Sequence, residues 1–98
     1  VTSHFLQDRL TSDTIAEGVR VRNPIRGQAI LQKMRSHRGK MITIEEDRLL
    51  QSYNEIAKKG FFIEPTSALV WAALPDVLEN CPGPVVLILT GTGYKTQI

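Results

Sequence analysis

A hydroxyl and two glycines follow the most apolar stretch of the sequence, and they are its best candidates for chemistry. Residues 85–89 are all valine, leucine or isoleucine, and Thr90, Gly91, Thr92 and Gly93 come directly after them. The unbroken apolar run predicts a strand that is buried on both faces. Open α/β sheets bind ligands at the carboxyl ends of their strands. The sequence therefore predicts a ligand-facing turn over residues 90–93, here called the glycine turn.

The glycine turn does not have the pattern of a nucleotide-binding loop. A dinucleotide fingerprint needs a third glycine and a helix that follows it. A Walker-type loop needs glycine directly before its lysine, whereas Tyr94 precedes Lys95 here. A plain β-turn after a core strand is the alternative interpretation.

A second group of polar residues, Thr66 and Ser67, follows Glu64 and Pro65. Because a proline pushes the preceding residue away from helical angles, a helix should begin here. Either hydroxyl could cap that helix, and either could form the polar edge of a binding pocket. Glu64 could support the residues of such a pocket, but we expect it to face solvent.

Three helices are predicted to position these residues. Apolar residues at helical spacing predict a first helix over residues 28–37 and a second that ends near Lys59. The second helix follows Thr43-x-x-Glu46, the pattern of a capping box. The third contains Pro75, where it should kink or restart.

Short β-prone runs lie between and after the helices, at residues 41–44, 61–63 and 85–89. Helices that alternate with such runs are typical of a parallel sheet. The predicted fold class is therefore α/β, a partial open parallel sheet with crossover helices. We expect residues 1–98 to form one domain at most.

The composition narrows the possible functions. With 98 residues, 42% of them hydrophobic and 22% charged, the chain has the composition of an ordinary globular protein but is short for an enzyme that must enclose a cofactor. A net charge of +2 is too small to argue for a nucleic-acid partner. The single cysteine, Cys81, and two distant histidines have no metal-ligand spacing. The longest apolar run is too short to span a membrane.

The first four residues, Val-Thr-Ser-His, have neither an initiator methionine nor the basic and apolar regions of a signal peptide. We therefore expect a cytoplasmic protein. The beginning of the chain looks cut, so we also expect a fragment of a longer protein.

Four segments, taken in order, resemble one group of enzymes. Residues 14–18, Thr-Ile-Ala-Glu-Gly, resemble its Thr-Ile-Ala-Asp/Glu-Gly segment, and Ile-Glu-Glu at 44–46 resembles its strand-to-helix step with paired acids. Residues 60–68 resemble its Gly-x-x-x-Glu-Pro-x-Ser-Ala segment. Residues 85–95 end in Leu-Thr-Gly-Thr-Gly-Tyr-Lys, which is similar to its Leu-Thr-Gly-x-Gly-x-Lys. The chain thus resembles the C-terminal part of threonine synthases, within the tryptophan synthase β (fold type II) superfamily of pyridoxal-phosphate enzymes.

The resemblance implies a pyridoxal phosphate cofactor and an amino-acid substrate. Carried over by position, it implies that Thr90 donates its hydroxyl hydrogen to the pyridine nitrogen, that Gly91 turns the backbone beside the ring, and that Thr66 lies at the edge of the pocket. A hydroxyl cannot keep the ring nitrogen protonated as a carboxylate would. The ring is then a weaker electron sink, which favours lyase-type eliminations and replacements at the β or γ carbon.

The resemblance also identifies what the sequence lacks. The family holds its cofactor as a Schiff base on a lysine in an N-terminal part and binds its phosphate in a separate glycine-rich loop. None of the five lysines here lies in such a motif. We therefore expect the chain to contribute one wall of an active site and not to catalyse the reaction alone.

Two other functions are compatible with the sequence. One is a free-standing regulatory module that binds another small molecule, and the other is an interaction role in which a sheet edge pairs with a second chain. Residues 85–89 contain no lysine or proline that would block such pairing. We therefore expect the chain to self-associate as a homo-oligomer.

Overall fold

The computed structural model describes residues 14–95. These residues form three α-helices, α1 (Gly27–Ser36), α2 (Glu46–Lys58) and α3 (Pro65–Asn80), and short 3₁₀ helices at Glu17–Val19 and Gly93–Lys95. The three predicted helices are confirmed. Within the described range, no helix is both long and apolar enough to cross a membrane.

The core lies between α2 and α3. One face of α2 carries Leu49, Ser52 and Ile56 at helical spacing, and all three are buried. From α3, Ala68 and Ala72 are buried as well, and their small side chains let the two helices approach closely. Leu49 and Ile56 are among the largest fully buried side chains, so this interface contributes much of the apolar burial.

Polar contacts border the same interface. The indole N–H of Trp71 donates to Oε2 of Glu55 at 3.2 Å, and the ammonium of Lys59 lies 5.8 Å from the centroid of the Trp71 ring. Arg48 and Asp76 form an ion pair at 3.6 Å. Both side chains of this pair are more than a third exposed, so it adds little to stability.

Helix α3 begins at Pro65 and continues through Pro75 to Asn80. A proline in the first turn costs no hydrogen bond, because that backbone position has no partner within the helix. Pro75 does remove an internal donor. The predicted restart at Pro75 is nevertheless wrong, because α3 is one continuous element.

The predicted capping box at Thr43 is also wrong. Helix α2 begins at Glu46, after Glu45, and no side chain caps it. The Glu46 carboxylate bonds outside the helix instead. The hydroxyl of Thr14 donates to its Oε1 at 2.5 Å, and the backbone N–H of Ile15 donates to its Oε2 at 3.0 Å. Glu46 therefore ties the start of α2 to the chain that precedes α1.

No β-strand is formed within residues 14–95. The predicted partial parallel sheet is thus not seen there, and residues 85–89 make no backbone pairing with another described segment. Alternate residues of this run are half-buried, whereas Val86 and Ile88 are 85% and 72% exposed. The expected burial on both faces is therefore wrong, since only one face packs, with Leu89 against the core.

Replacing the Glu46 carboxylate tests its role in the fold. Glu46→Gln keeps the size of the side chain but sets an amide NH₂ against at least one of the two donors. Because hydrogen bonds to charged groups contribute about 1.5–3 kcal/mol, we expect the free energy of unfolding to fall by about that amount. Glu45→Gln, an exposed acid one residue earlier, is the matched control and should change it by less than about 0.5 kcal/mol. Urea denaturation followed by Trp71 fluorescence measures both, and equal effects would contradict the assignment.

Candidate functional site

Two hydroxyls at the start of α3 bond to two of the segments that carry the resemblance, residues 14–18 and 85–95. Oγ1 of Thr66 accepts a hydrogen bond from the backbone N–H of Gly18 at 3.0 Å. Oγ of Ser67 accepts one from the backbone N–H of Thr90 at 2.8 Å. Because the helix begins at Pro65, both residues lie inside its first turn and neither is its cap. The interpretation of these residues as helix caps is therefore wrong.

Thr90 is exposed and is held through its backbone. Its hydroxyl has no hydrogen-bond partner among the residues that the structure describes. Gly91 follows with a φ of 71°, in the left-handed region that favours glycine. A Cβ on Gly91 would lie 2.3 Å from Cδ of Glu64, so a larger residue would also be crowded. The chain thus turns sharply after Thr90 and passes close to Glu64.

Gly93 fixes the other end of the glycine turn. Its N–H donates to the carbonyl oxygen of Phe62 at 3.0 Å, and a Cβ there would lie 2.7 Å from the Phe62 ring. Tyr94 packs edge-on against the same ring, with 4.9 Å between the centroids. Phe61 and Phe62 are both exposed and lie outside the core. Phe62 instead supports the glycine turn.

A cavity of about 310 Å³ opens beside these contacts. It is lined by Ile15, Glu17, Gly18, Glu64, Pro65 and Thr66. Glu64 is half-buried and also lies against Gly91, so the expectation that it faces solvent is wrong. The Thr66 hydroxyl accepts from Gly18 and keeps its own proton to donate.

A depression of similar volume, about 330 Å³, lies between α2 and α3. Its lining comes from those two helices alone, with Trp71 and Ala72 among its residues. None of the four segments that carry the resemblance contributes to it, so the cavity at the start of α3 is the better candidate site. No cluster of three or more His, Cys, Asp or Glu side chains within residues 14–95 could hold a metal ion.

The three residues predicted to bind a cofactor, Thr66, Thr90 and Gly91, are brought to the first turn of α3. Thr66 lies in that turn, and Ser67 and Glu64 contact Thr90 and Gly91. The contact of Ser67 with Thr90 and that of Glu64 with Gly91 were not predicted from the sequence. Both partners lie in the 60–68 segment of the resemblance, but spacing along the chain does not show which group each one meets.

Comparison with known proteins shows the family of this chain. Residues 2–91 match the family of pyridoxal-phosphate dependent enzymes. The threonine synthase of Methanocaldococcus jannaschii is 31% identical over 88 residues, which cover 85% of this chain and 22% of that protein. The chain thus spans about a fifth of the length of this relative. No solved structure matches the chain. Because the family match includes all three helices and the turn at Thr90 and Gly91, the chain belongs to the pyridoxal-phosphate dependent enzymes.

Proposed function

We propose that this chain forms one wall of the cofactor site of a cytoplasmic pyridoxal-phosphate lyase with threonine synthase-like chemistry. The observation that carries the proposal is the joint placement of Thr66, Thr90 and Gly91 at the first turn of α3. Family membership supports the cofactor. The similarity to a threonine synthase supports the reaction class and an amino acid as substrate.

The residues of the glycine turn fit the pyridine end of pyridoxal phosphate. The ring nitrogen is a hydrogen-bond acceptor, and Thr90 offers an exposed hydroxyl with no partner within residues 14–95. Gly91 turns the chain directly after this hydroxyl, and it has no Cβ that would crowd a ring bound beside it. Thr66 supplies a second hydroxyl, at the edge of the neighbouring cavity.

Because the Thr90 side chain is neutral, it favours some reactions of pyridoxal-phosphate enzymes over others. When bound, the cofactor supplies an electron sink for the bonds at the α carbon of an amino acid. Thr90 can donate a hydrogen bond to the ring nitrogen, but unlike a carboxylate it does not stabilise a proton there. A weaker sink suits eliminations and replacements at the β or γ carbon, because a leaving group takes the electrons.

The chain is proposed to act together with a further part that holds the covalent lysine and binds the phosphate. No segment of the sequence resembles the family's lysine motif or its phosphate loop. The share of the threonine synthase that the chain matches, 22%, supports the same division.

Because the family has an α/β fold, residues 85–89 are proposed to form a strand in the complete enzyme. Their backbone groups have no pairing partner among the described segments, and Val86 and Ile88 are exposed. An apolar edge of this kind pairs readily with another strand. In the complete enzyme the run would be a strand of the parallel sheet, and in the isolated chain it would pair with a second copy.

In the holoenzyme that contains this chain, Thr90→Ala should weaken cofactor binding and leave the fold unchanged, because Ser67 bonds to the backbone of residue 90. A neutral hydrogen bond contributes about 0.5–1.5 kcal/mol, which corresponds to a roughly two- to tenfold rise in the Kd of pyridoxal phosphate. Thr90→Ser keeps the hydroxyl and should behave like the wild type. Fluorescence titration and kcat test both variants, and an unchanged Kd and kcat for Thr90→Ala would refute the proposal.

The isolated chain should not attach pyridoxal phosphate stoichiometrically to one lysine. All of its lysines are exposed side chains outside any family lysine motif, and we expect only low, scattered labelling of them: Lys33, Lys40, Lys58, Lys59 and Lys95. Borohydride reduction followed by peptide mapping measures the labelling. One lysine with close to one equivalent of cofactor would show that the chain has a covalent site of its own.

The isolated chain should self-associate through residues 85–89. Val86→Lys places a charge on the exposed edge, where lysine opposes strand pairing, and should shift the chain toward monomer. Val21→Lys is the matched control, since Val21 is also exposed but lies outside this run. Light scattering over a dilution series measures the association. A folded wild-type monomer at high concentration, or equal effects of the two variants, would contradict the prediction.

A further inference from the structure

Two neighbouring side chains in the first turn of α3 bond to segments that are far apart in the sequence. Thr66 receives the N–H of Gly18, and Ser67 receives the N–H of Thr90. We infer that Thr66 and Ser67 are a pair of positioning residues that hold the 14–18 segment and the glycine turn in register with each other. The consequence for catalysis rests on the proposed function, whereas the contacts themselves require no cofactor.

The Ser67 contact fixes the one residue of the glycine turn that is proposed to meet the ring. Ser67 is buried, and a buried hydroxyl needs a hydrogen-bond partner. Leu89 packs against the core just before the turn, and Gly93 is bonded to Phe62 just after Gly91 and Thr92. Between these two anchors, the hydrogen bond from the Thr90 N–H to Ser67 fixes the backbone of Thr90. It therefore also limits where the Thr90 hydroxyl can lie.

The Thr66 contact fixes the far end of the 14–18 segment. Glu46 already holds its beginning, through Thr14 and Ile15. At the other end, a Cβ on Gly18 would lie 3.0 Å from Oγ1 of Thr66, so the backbone approaches this side chain closely. The segment lines the candidate cavity between these two anchors. Loss of the Thr66 bond would therefore release one side of the cavity.

Helix geometry explains why the adjacent residues Thr66 and Ser67 can bond to two different segments. Successive residues of a helix project about 100° apart, so neighbouring side chains reach different surroundings. Both are carried by the same turn of α3, which Ala68 anchors in the core. A single rigid turn therefore sets the positions of both segments at once.

Amide hydrogen exchange of the isolated chain tests the contacts without any cofactor. Thr66→Val keeps the shape of the side chain and should speed exchange of the Gly18 amide about two- to tenfold, as expected for the loss of one hydrogen bond, with no change at Thr90. Ser67→Ala should speed exchange of the Thr90 amide and leave that of Gly18 unchanged. Thr66→Ser should restore the wild-type rate at Gly18. If both amides change in either variant, or neither does, the inference is overturned.

A double-mutant cycle in the holoenzyme tests whether Ser67 acts through Thr90. Ser67→Ala should raise the Kd of pyridoxal phosphate, but in a Thr90→Ala background it should add little, because the hydroxyl that it positions is already gone. Independent, additive effects would overturn the positioning role of Ser67. If Thr90→Ala alone is silent, the proposed function fails, and the exchange rates at Gly18 and Thr90 still decide whether the two hydroxyls hold these segments.

Discussion

The close packing of α3 on α2 is the constraint on which the candidate site depends. Ala68 and Ala72 are small enough to bring α3 against the buried face of α2, and this fixes where the first turn of α3 lies. The 14–18 segment is then held from both helices, by Glu46 at the first residue of α2 and by Thr66 in the first turn of α3. Because hydrogen bonds tolerate little displacement, a shift between the two helices would break one of these contacts.

The polar residues at the helix starts stabilise tertiary contacts and not the helix ends. Glu46, Thr66 and Ser67 all lie in the first turn of a helix, yet each bonds to a distant segment. A cap satisfies a donor that water could also satisfy, whereas these bonds hold loops that have few other anchors. The start of α3 has less need of a cap, because Pro65 in its first turn has no backbone N–H.

The helices could be predicted from the sequence because their signal is local. Apolar residues at helical spacing predicted that α2 ends near Lys59, within one residue of its observed end at Lys58. A strand needs a partner outside its own sequence, so the apolar run at 85–89 could not by itself establish a sheet. The structure places Thr66, Thr90 and Gly91, which the resemblance predicts as cofactor-binding residues, around one turn of α3, and their role in binding stays a prediction. The resemblance could not supply Ser67 as the acceptor for Thr90, because that pairing depends on how α3 lies against the glycine turn.

A site that relies on a neutral hydroxyl places strict demands on its scaffold. The attraction between a carboxylate and a protonated ring nitrogen falls off slowly with distance, so a small displacement costs little of it. A neutral hydrogen bond contributes only about 0.5–1.5 kcal/mol. It is lost when the donor moves by a fraction of the donor–acceptor distance. In the proposed site, Thr90 must therefore be held rigidly before the cofactor arrives. Ser67 holds the backbone of Thr90 just before the turn at Gly91. Phe62 contacts Gly93 just after that turn, and the two contacts together provide the rigidity. The conformational cost of ordering the turn is thus met in folding and not in binding.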